Sequence, residues 1–153
     1  MPTDTELVYI VDDLEQYRKI IERMNVIDYG AHISLHWYAN VSNGTVKVVK
    51  REEGYDITEM DEVNGAFTVR KHTRVSSRQE GFEILRSRGY TQLEFVEMKY
   101  QEYGYMRGKI GLYTINQYVQ SVVIDYPPAQ IKEIVRLLSM SRMTPTRYAF
   151  NIL

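Results

Sequence analysis

The hydrophobic pattern of the chain switches between two periods, and the switches mark its elements. Glu6 to Val11 reads as a short apolar-rich strand. Asp12 then opens a helix, with Glu15 three residues on completing a capping box. Leu14, Tyr17, Ile20, Ile21 and Met24 recur at helical spacing, which gives that helix one apolar stripe. From Ala31 the period becomes two: Ile33, Leu35 and Trp37 point one way, and His32, Ser34, His36 and Tyr38 the other. This alternation predicts that Ile33, Leu35 and Trp37 are buried and that His32 and His36 lie on the opposite face. Asn43-Gly44 is a hairpin signal, and Thr45 to Arg51 returns as the partner strand. The acidic stretch from Glu52 to Asn64 reads as a solvated loop.

Ala66 to Val75 alternates again, with Thr68, Arg70, His72 and Arg74 on one face. Ser77 and Glu80 make a second capping box, Phe82, Ile84 and Leu85 supply apolar contacts, and Gly89 stops that helix. Three further strands follow over Leu93 to Tyr105, Lys109 to Ile115 and Tyr118 to Tyr126, with Arg107-Gly108 as a turn. Pro127 and Pro128 break the pattern, and Pro128 starts a last helix that runs through Leu138. Hairpin-length connections favour antiparallel pairing. The expected fold is therefore α+β: one antiparallel β-barrel or strongly curved sheet of about seven strands, with three helices. Closure into a barrel would also remove exposed edges. Residues 1–153 read as a single domain, with a barrel core over 6–138 and a tail over 139–153. The apolar string Tyr148-Ala-Phe150-Asn-Ile152-Leu153 is expected to lie against the barrel or in a partner groove.

Composition narrows the function. The 153 residues are 44% hydrophobic and 25% charged, with a formal net charge of −1, so no global field draws the chain to nucleic acid or an anionic membrane. The absence of cysteine removes disulfides, thiolate zinc sites and cysteine nucleophiles. No basic segment followed by an apolar run opens the chain, and no apolar stretch approaches the ~20 residues that span a bilayer. A soluble, intracellular protein is expected.

The candidate chemistry is sparse. His32 and His36 sit four residues apart on one strand, about 13 Å at the usual rise, too far to share a metal ion. The segment His32-Ile33-Ser34 matches half of a two-histidine phosphoesterase signature, but His72-Thr73-Arg74 does not supply the other half. Lys47 and Arg51 are in phase on one strand, and Arg70 and Arg74 on another. If both strands line one barrel wall, they make a cationic interior suited to phosphate; the alternative is that they face solvent. Glu6 and Asp125 are single acids on strands where a chelating strand would carry two. Tyr100, Tyr103 and Tyr105 cluster before a turn, among thirteen tyrosines in the chain, and read as packing or as a protein-binding patch. Ile131, Ile134, Val135 and Leu138 give the last helix one apolar stripe, for its own sheet or for another chain.

The stretch Phe82 to Tyr90, then Phe95-Val96, then Tyr105 to Ile115, resembles the second half of Mediator head-module subunit 18. Glu6 to Met24 and Ala66 to Leu85 resemble its earlier strand and helix pairs. That subunit shares its barrel with triphosphate-tunnel enzymes, which include class IV adenylyl cyclases, thiamine triphosphatase and RNA triphosphatases. Arg78-Gln-Glu80 and Lys99 are similar to those enzymes, whereas Glu6-Leu-Val8 and Val123-Ile-Asp125 depart from their metal-binding Glu-x-Glu strands. The resemblance implies first a non-catalytic subunit of a nuclear, transcription-related assembly that holds no cofactor. It would meet its protein partners through Tyr100, Tyr103, Tyr105, Ile131, Ile134, Val135 and Leu138. The alternative it implies is a triphosphate-binding or triphosphate-cleaving protein. Lys47, Arg51, Arg70, Arg74 and Lys99 would then hold phosphates, and Glu6 and Asp125 would hold Mg²⁺ or Mn²⁺. A standalone binding or regulatory protein on the same fold is the third reading. An aqueous interior with converging cations would favour a triphosphate ligand, and an apolar plug would favour the scaffold.

Overall fold

The computed structural model describes residues 4–64 and 66–146. Eight antiparallel strands and three helices follow in the order β1 (Thr5–Val11), α1 (Leu14–Glu22), β2 (Ile27–Val41), β3 (Gly44–Arg51), β4 (Gly54–Val63), β5 (Ala66–Val75), α2 (Arg78–Ser87), β6 (Glu94–Tyr105), β7 (Gly108–Ile115), β8 (Val119–Tyr126) and α3 (Ile131–Leu137). A 3-10 turn at Pro128–Gln130 leads into α3. The strands close into a barrel in the order β1-β5-β4-β3-β2-β6-β7-β8. The expected α+β barrel is present, with one strand more than the seven read from the sequence.

That extra strand is β4, the acidic stretch read as a loop. Its acids are spaced so that Asp56 faces the interior while Glu59 and Asp61 face outward to meet cations, and Ile57 and Met60 supply buried contacts. Close approach fixes the neighbouring hairpin. Asn43 takes φ +63, and a Cβ on Gly44 would run into the Met60 carbonyl, so the chain needs glycine there.

Helices cover the barrel from outside in two places. Helix α1 starts one residue later than the spacing predicted: Asp13 is the N-cap, and its carboxylate accepts from the Glu15 N–H at 3.0 Å. Leu14, Tyr17 and Ile21 of α1 join Ile134 and Leu138 of the α3 region over the outer faces of β1, β7 and β8. Ile134 and Leu138 are fully buried there, while Ile131 and Val135 pack at the cluster's margin, so the last helix docks on its own sheet. Helix α2 has the predicted Ser77 cap, whose Oγ accepts from Glu80 N at 3.1 Å, and buries Leu85 against Val46, Val48, Ile57 and Val75. Gly81 lets it sit close, because a Cβ there would meet Val48 at 2.9 Å. Thr146 N–H donates to the Val8 carbonyl at 2.8 Å, beyond the point where β5 stops pairing with β1. The apolar string at 148–153 lies outside the described residues.

The interior divides into two halves. Val8, Tyr38, Met60, Phe67, Val96, Met98, Ile115 and Val123 form one buried cluster that fills one half. The other half is polar. This reverses the orientation predicted for β2. Ser34 and His36 turn inward and are each 3% exposed, whereas Ile33 lies outside at 54%. Trp37 is also outside, half-buried between Phe82 and Phe95 with the Arg78 guanidinium over its ring. His32 does share the inner face with His36, as the alternation required. Among the described residues no helix is long and apolar enough to cross a membrane.

The packing of α2 gives a direct test. Leu85→Ala removes a side chain with no exposed surface and should lower stability by about 2–5 kcal/mol in urea unfolding, as buried leucine truncations do. A loss below about 0.5 kcal/mol, typical of surface sites, would contradict the docked position of α2.

Candidate functional site

The polar half of the barrel is built from strand register. On β3, Lys47 and Arg51 both face inward; Lys47 sits opposite Tyr38 of β2 and Thr58 of β4, and is 3% exposed. On β8 and β1, Asp125 and Glu6 are direct cross-strand partners, and Asp125 also pairs with Lys109 of β7. Two acids that each stood alone on their strand are therefore brought side by side by the sheet. Glu102 of β6 adds a third acid near the mouth, 3.5 Å from Lys109 Nζ.

Two of the inward cations, Arg51 and Lys109, pair directly with acids. Arg51 donates to Asp56 Oδ2 at 2.6 Å, and Thr58 Oγ1 donates to the other oxygen of Asp56 at 2.5 Å. With the Thr58 proton so committed, His72 Nδ1, 3.0 Å from the same Oγ1, is the donor of that pair. Arg74 lies at the rim on the same face, in register with Asp56, and reaches the Glu53 carbonyl at 3.2 Å. Ser34 Oγ and His36 Nε2, both turned inward on β2, are 2.7 Å apart. Burial, then the charges of Lys47 and Arg51, hold the His36 imidazole well below its usual range, so it is neutral.

Glu6 and Lys47 face each other electrostatically at the floor of the polar half. Burial pushes the Glu6 carboxyl up to about 7; the Lys47 ammonium opposes that rise and Asp125 adds to it. Burial likewise brings Lys47 down to about 7, against the attraction of Glu6. Burial also raises Asp125, with Asp4 adding to the shift. Rings line the wall beside these charges. His32, Tyr100 and Tyr113 are cross-strand neighbours, and the two tyrosines stack at 4.6 Å with 10° between planes.

Two clefts of about 480 Å³ open at this end and share Lys109: one is lined by His32, Arg51, Glu52, Tyr100 and Glu102, the other by Asp4, Tyr29, Arg107 and Asp125. The sequence-predicted set is thus partly united. Lys47, Arg51, Glu6 and Asp125 converge, with Arg74 at the rim. Arg70 does not join them. A bulge between Glu59 and Met60 leaves Arg70 as an unmatched residue on β5 and turns it outward, where it meets Glu59 at 3.5 Å and Asp61 at 3.3 Å. Lys99 also lies outside, opposite Ile33 and Thr114.

Of the tyrosines, Tyr100 faces inward, whereas Tyr103 and Tyr105 pack into the cluster under α1 and α3. They form no exposed patch. Lys109, Glu102 and Asp56 were not singled out from the sequence. In-phase counting from Asp125 across a short β7–β8 hairpin would have found Lys109, and recognising β4 would have found Asp56.

Comparison with known proteins follows from this geometry. No family model and no curated protein matches the chain. Solved structures do. The PH1012 protein of Pyrococcus horikoshii superposes with a TM-score of 0.79 at 14% identity, covering 97% of this chain and 99% of that one. A candidate adenylate cyclase of Vibrio parahaemolyticus gives 0.72 at 8% identity, over 98% of this chain and 97% of that one. A candidate adenylyl cyclase of Hippeastrum, described as having a dominant triphosphatase activity, gives 0.63 at 8% identity, over 97% and 92%. The likeness to Mediator subunit 18 finds no support among these comparisons, and neither do the nuclear, transcription-linked role and the partner surface that rested on it.

The Glu6–Lys47 pair predicts its own titration. The Glu6 side-chain carboxyl, followed by carbon-13 NMR, should titrate near pH 7, and its midpoint should rise further in Lys47→Met, where the opposing ammonium is gone. Because the folded value is raised, the proton on Glu6 favours the folded state, and this contribution fades as pH climbs from about 4.5 through 7. A midpoint near 4.5 in the native protein would contradict the desolvated placement of Glu6.

These comparisons and the closed strand order show that the chain shares the eight-stranded antiparallel barrel fold of those solved structures.

Proposed function

We propose that the protein binds a compound carrying a triphosphate or similar short polyphosphate chain in the polar half of its barrel. One observation carries this reading: Lys47, Arg51, Arg74 and Lys109, from three different strands, belong to the polar half of a closed barrel, with Arg51, Arg74 and Lys109 lining clefts at its mouth and Lys47 buried below them. Arginine offers forked donors that match phosphate oxygens, and lysine a point charge. Fold-level likeness to a protein described as a triphosphatase supports the same class of ligand, as analogy.

A divalent ion fits beside the phosphates in one mode. Among the described residues no three His, Asp or Glu side chains are grouped to hold an ion by themselves. Mg²⁺ is commonly held by one or two carboxylates, with waters and substrate phosphates completing its shell. The adjacent Glu6 and Asp125 supply that pair, and a cation would relieve the repulsion between them. Bound there, Mg²⁺ or Mn²⁺ would supply charge neutralisation for a phosphoryl group. This chain's residues hold the phosphates and exclude bulk water at the plugged end. Metal-dependent cleavage is the second reading, favoured by the side-by-side placement of those two acids.

Calorimetry with inorganic tripolyphosphate, ATP and thiamine triphosphate in Mg²⁺ or Mn²⁺ tests binding. Arg51→Gln should weaken affinity about 10–100-fold, the size of a lost hydrogen bond to a charged group. Arg70→Gln and Lys99→Gln, on the outer surface, should leave it unchanged. No heat from any of the three compounds would overturn the reading. Phosphate release that disappears in Asp125→Asn would establish cleavage, and absence of release with intact binding would limit the protein to binding.

A further inference from the structure

We infer that the barrel is blind, and that its site accepts only a free chain end, terminal phosphate first, with the organic part of the ligand left in the mouth. This rests on the triphosphate reading and adds the class of substrate. The packed apolar cluster closes the interior: Phe67 is 1% exposed, Met98 1%, Met60 2% and Val8 0%, and these four come from different strands. At the far end a dimple of about 240 Å³ is lined by Asn40, Thr45, Glu62 and Phe67, and it shares no residue with the two clefts at the mouth. Phe67 thus stands between the two ends. A phosphate chain cannot thread through, because its charges would have to cross a dry apolar layer.

The mouth itself sorts the two ends of a ligand. Lys47, the deepest cation, is 3% exposed and lines neither mouth cleft, so the bulk of a ligand stays at the level of Arg51 and Lys109 and at most a terminal phosphate approaches it. Around the rim, Glu52, Glu53 and Glu102 share a cleft with Lys109 and Arg51. Those acids oppose a polyanion lying sideways across the rim. His32, Tyr29 and Tyr100 give the same rim apolar ring surface for an organic group.

The test compares ends. In Mg²⁺, inorganic tripolyphosphate and ATP each present a free terminal phosphate, whereas diadenosine pentaphosphate is capped at both ends. Calorimetry should give tripolyphosphate and ATP affinities within about tenfold of each other, and diadenosine pentaphosphate at least about tenfold weaker than ATP. Diadenosine pentaphosphate binding as tightly as ATP would overturn end-first insertion while leaving the triphosphate reading intact. Failure of all three to bind would overturn both.

A second measurement is independent of any ligand. The chain has no cysteine, so single thiols introduced by Glu102→Cys and Met60→Cys report access without background. A charged methanethiosulfonate should modify the Glu102→Cys protein readily and leave the folded Met60→Cys protein unmodified. Rapid modification of Met60→Cys in protein that circular dichroism shows to be folded would mean an open tunnel, and would overturn the blind barrel.

Discussion

A small closed barrel has no spare interior, and every charge turned inward must meet a counter-charge or a ligand. An eight-stranded barrel leaves room for its own side chains or for one small molecule. Here the sequence divides that room. Valine, methionine, phenylalanine and tyrosine fill one half, and lysine, arginine, aspartate and glutamate occupy the other. The boundary falls at Glu6, half-buried, and Lys47, buried, and desolvation draws both toward neutrality. Taking such a pair from water costs several kcal/mol per ion, on the order of what their attraction returns, so it adds little to stability. Its consequence is positional: it holds the Lys47 amine at the floor of the polar half, where an incoming phosphate would favour its charged form.

The inward pairs make the site self-compensated. Arg51 with Asp56 and Lys109 with Glu102 hold their partners before any ligand arrives. A ligand phosphate therefore competes with carboxylates, and a divalent cation between Glu6 and Asp125 would shift that competition toward the phosphate. The polar half thus links sheet register directly to ligand chemistry, since a shift of one residue on β8 would send Asp125 to the outside.

The alternation of apolar and polar residues was legible, but not which face was inside. On β2 the apolar set Ile33, Leu35 and Trp37 lies on the outer wall, while the polar set Ser34, His36 and Tyr38 lines the interior. Period-two patterning defines two faces; closure around a polar site inverts the usual assignment. Local signals fared better, because capping and turn chemistry act within a few residues: Ser77 caps α2, and the chain turns at Asn43. Strand β4 was hidden because its acids resemble a solvated loop until Arg51, Arg70 and Arg88 are placed beside them. Arg70 was misassigned because a bulge changes phase without leaving a signature in composition. The pairing of Glu6 with Asp125 depends on contacts between the first and last strands, which no local pattern encodes.

The central claim is that phosphate is recognised inside the barrel and not on its wall. Backbone amide NMR of the labelled protein, recorded while tripolyphosphate and Mg²⁺ are added, tests it residue by residue. The account predicts that the largest shifts fall at Lys47, Arg51, Lys109 and Asp125, with Arg70 and Lys99 unmoved. Shifts centred on Arg70 or Lys99, or spread evenly over surface lysines and arginines, would contradict it.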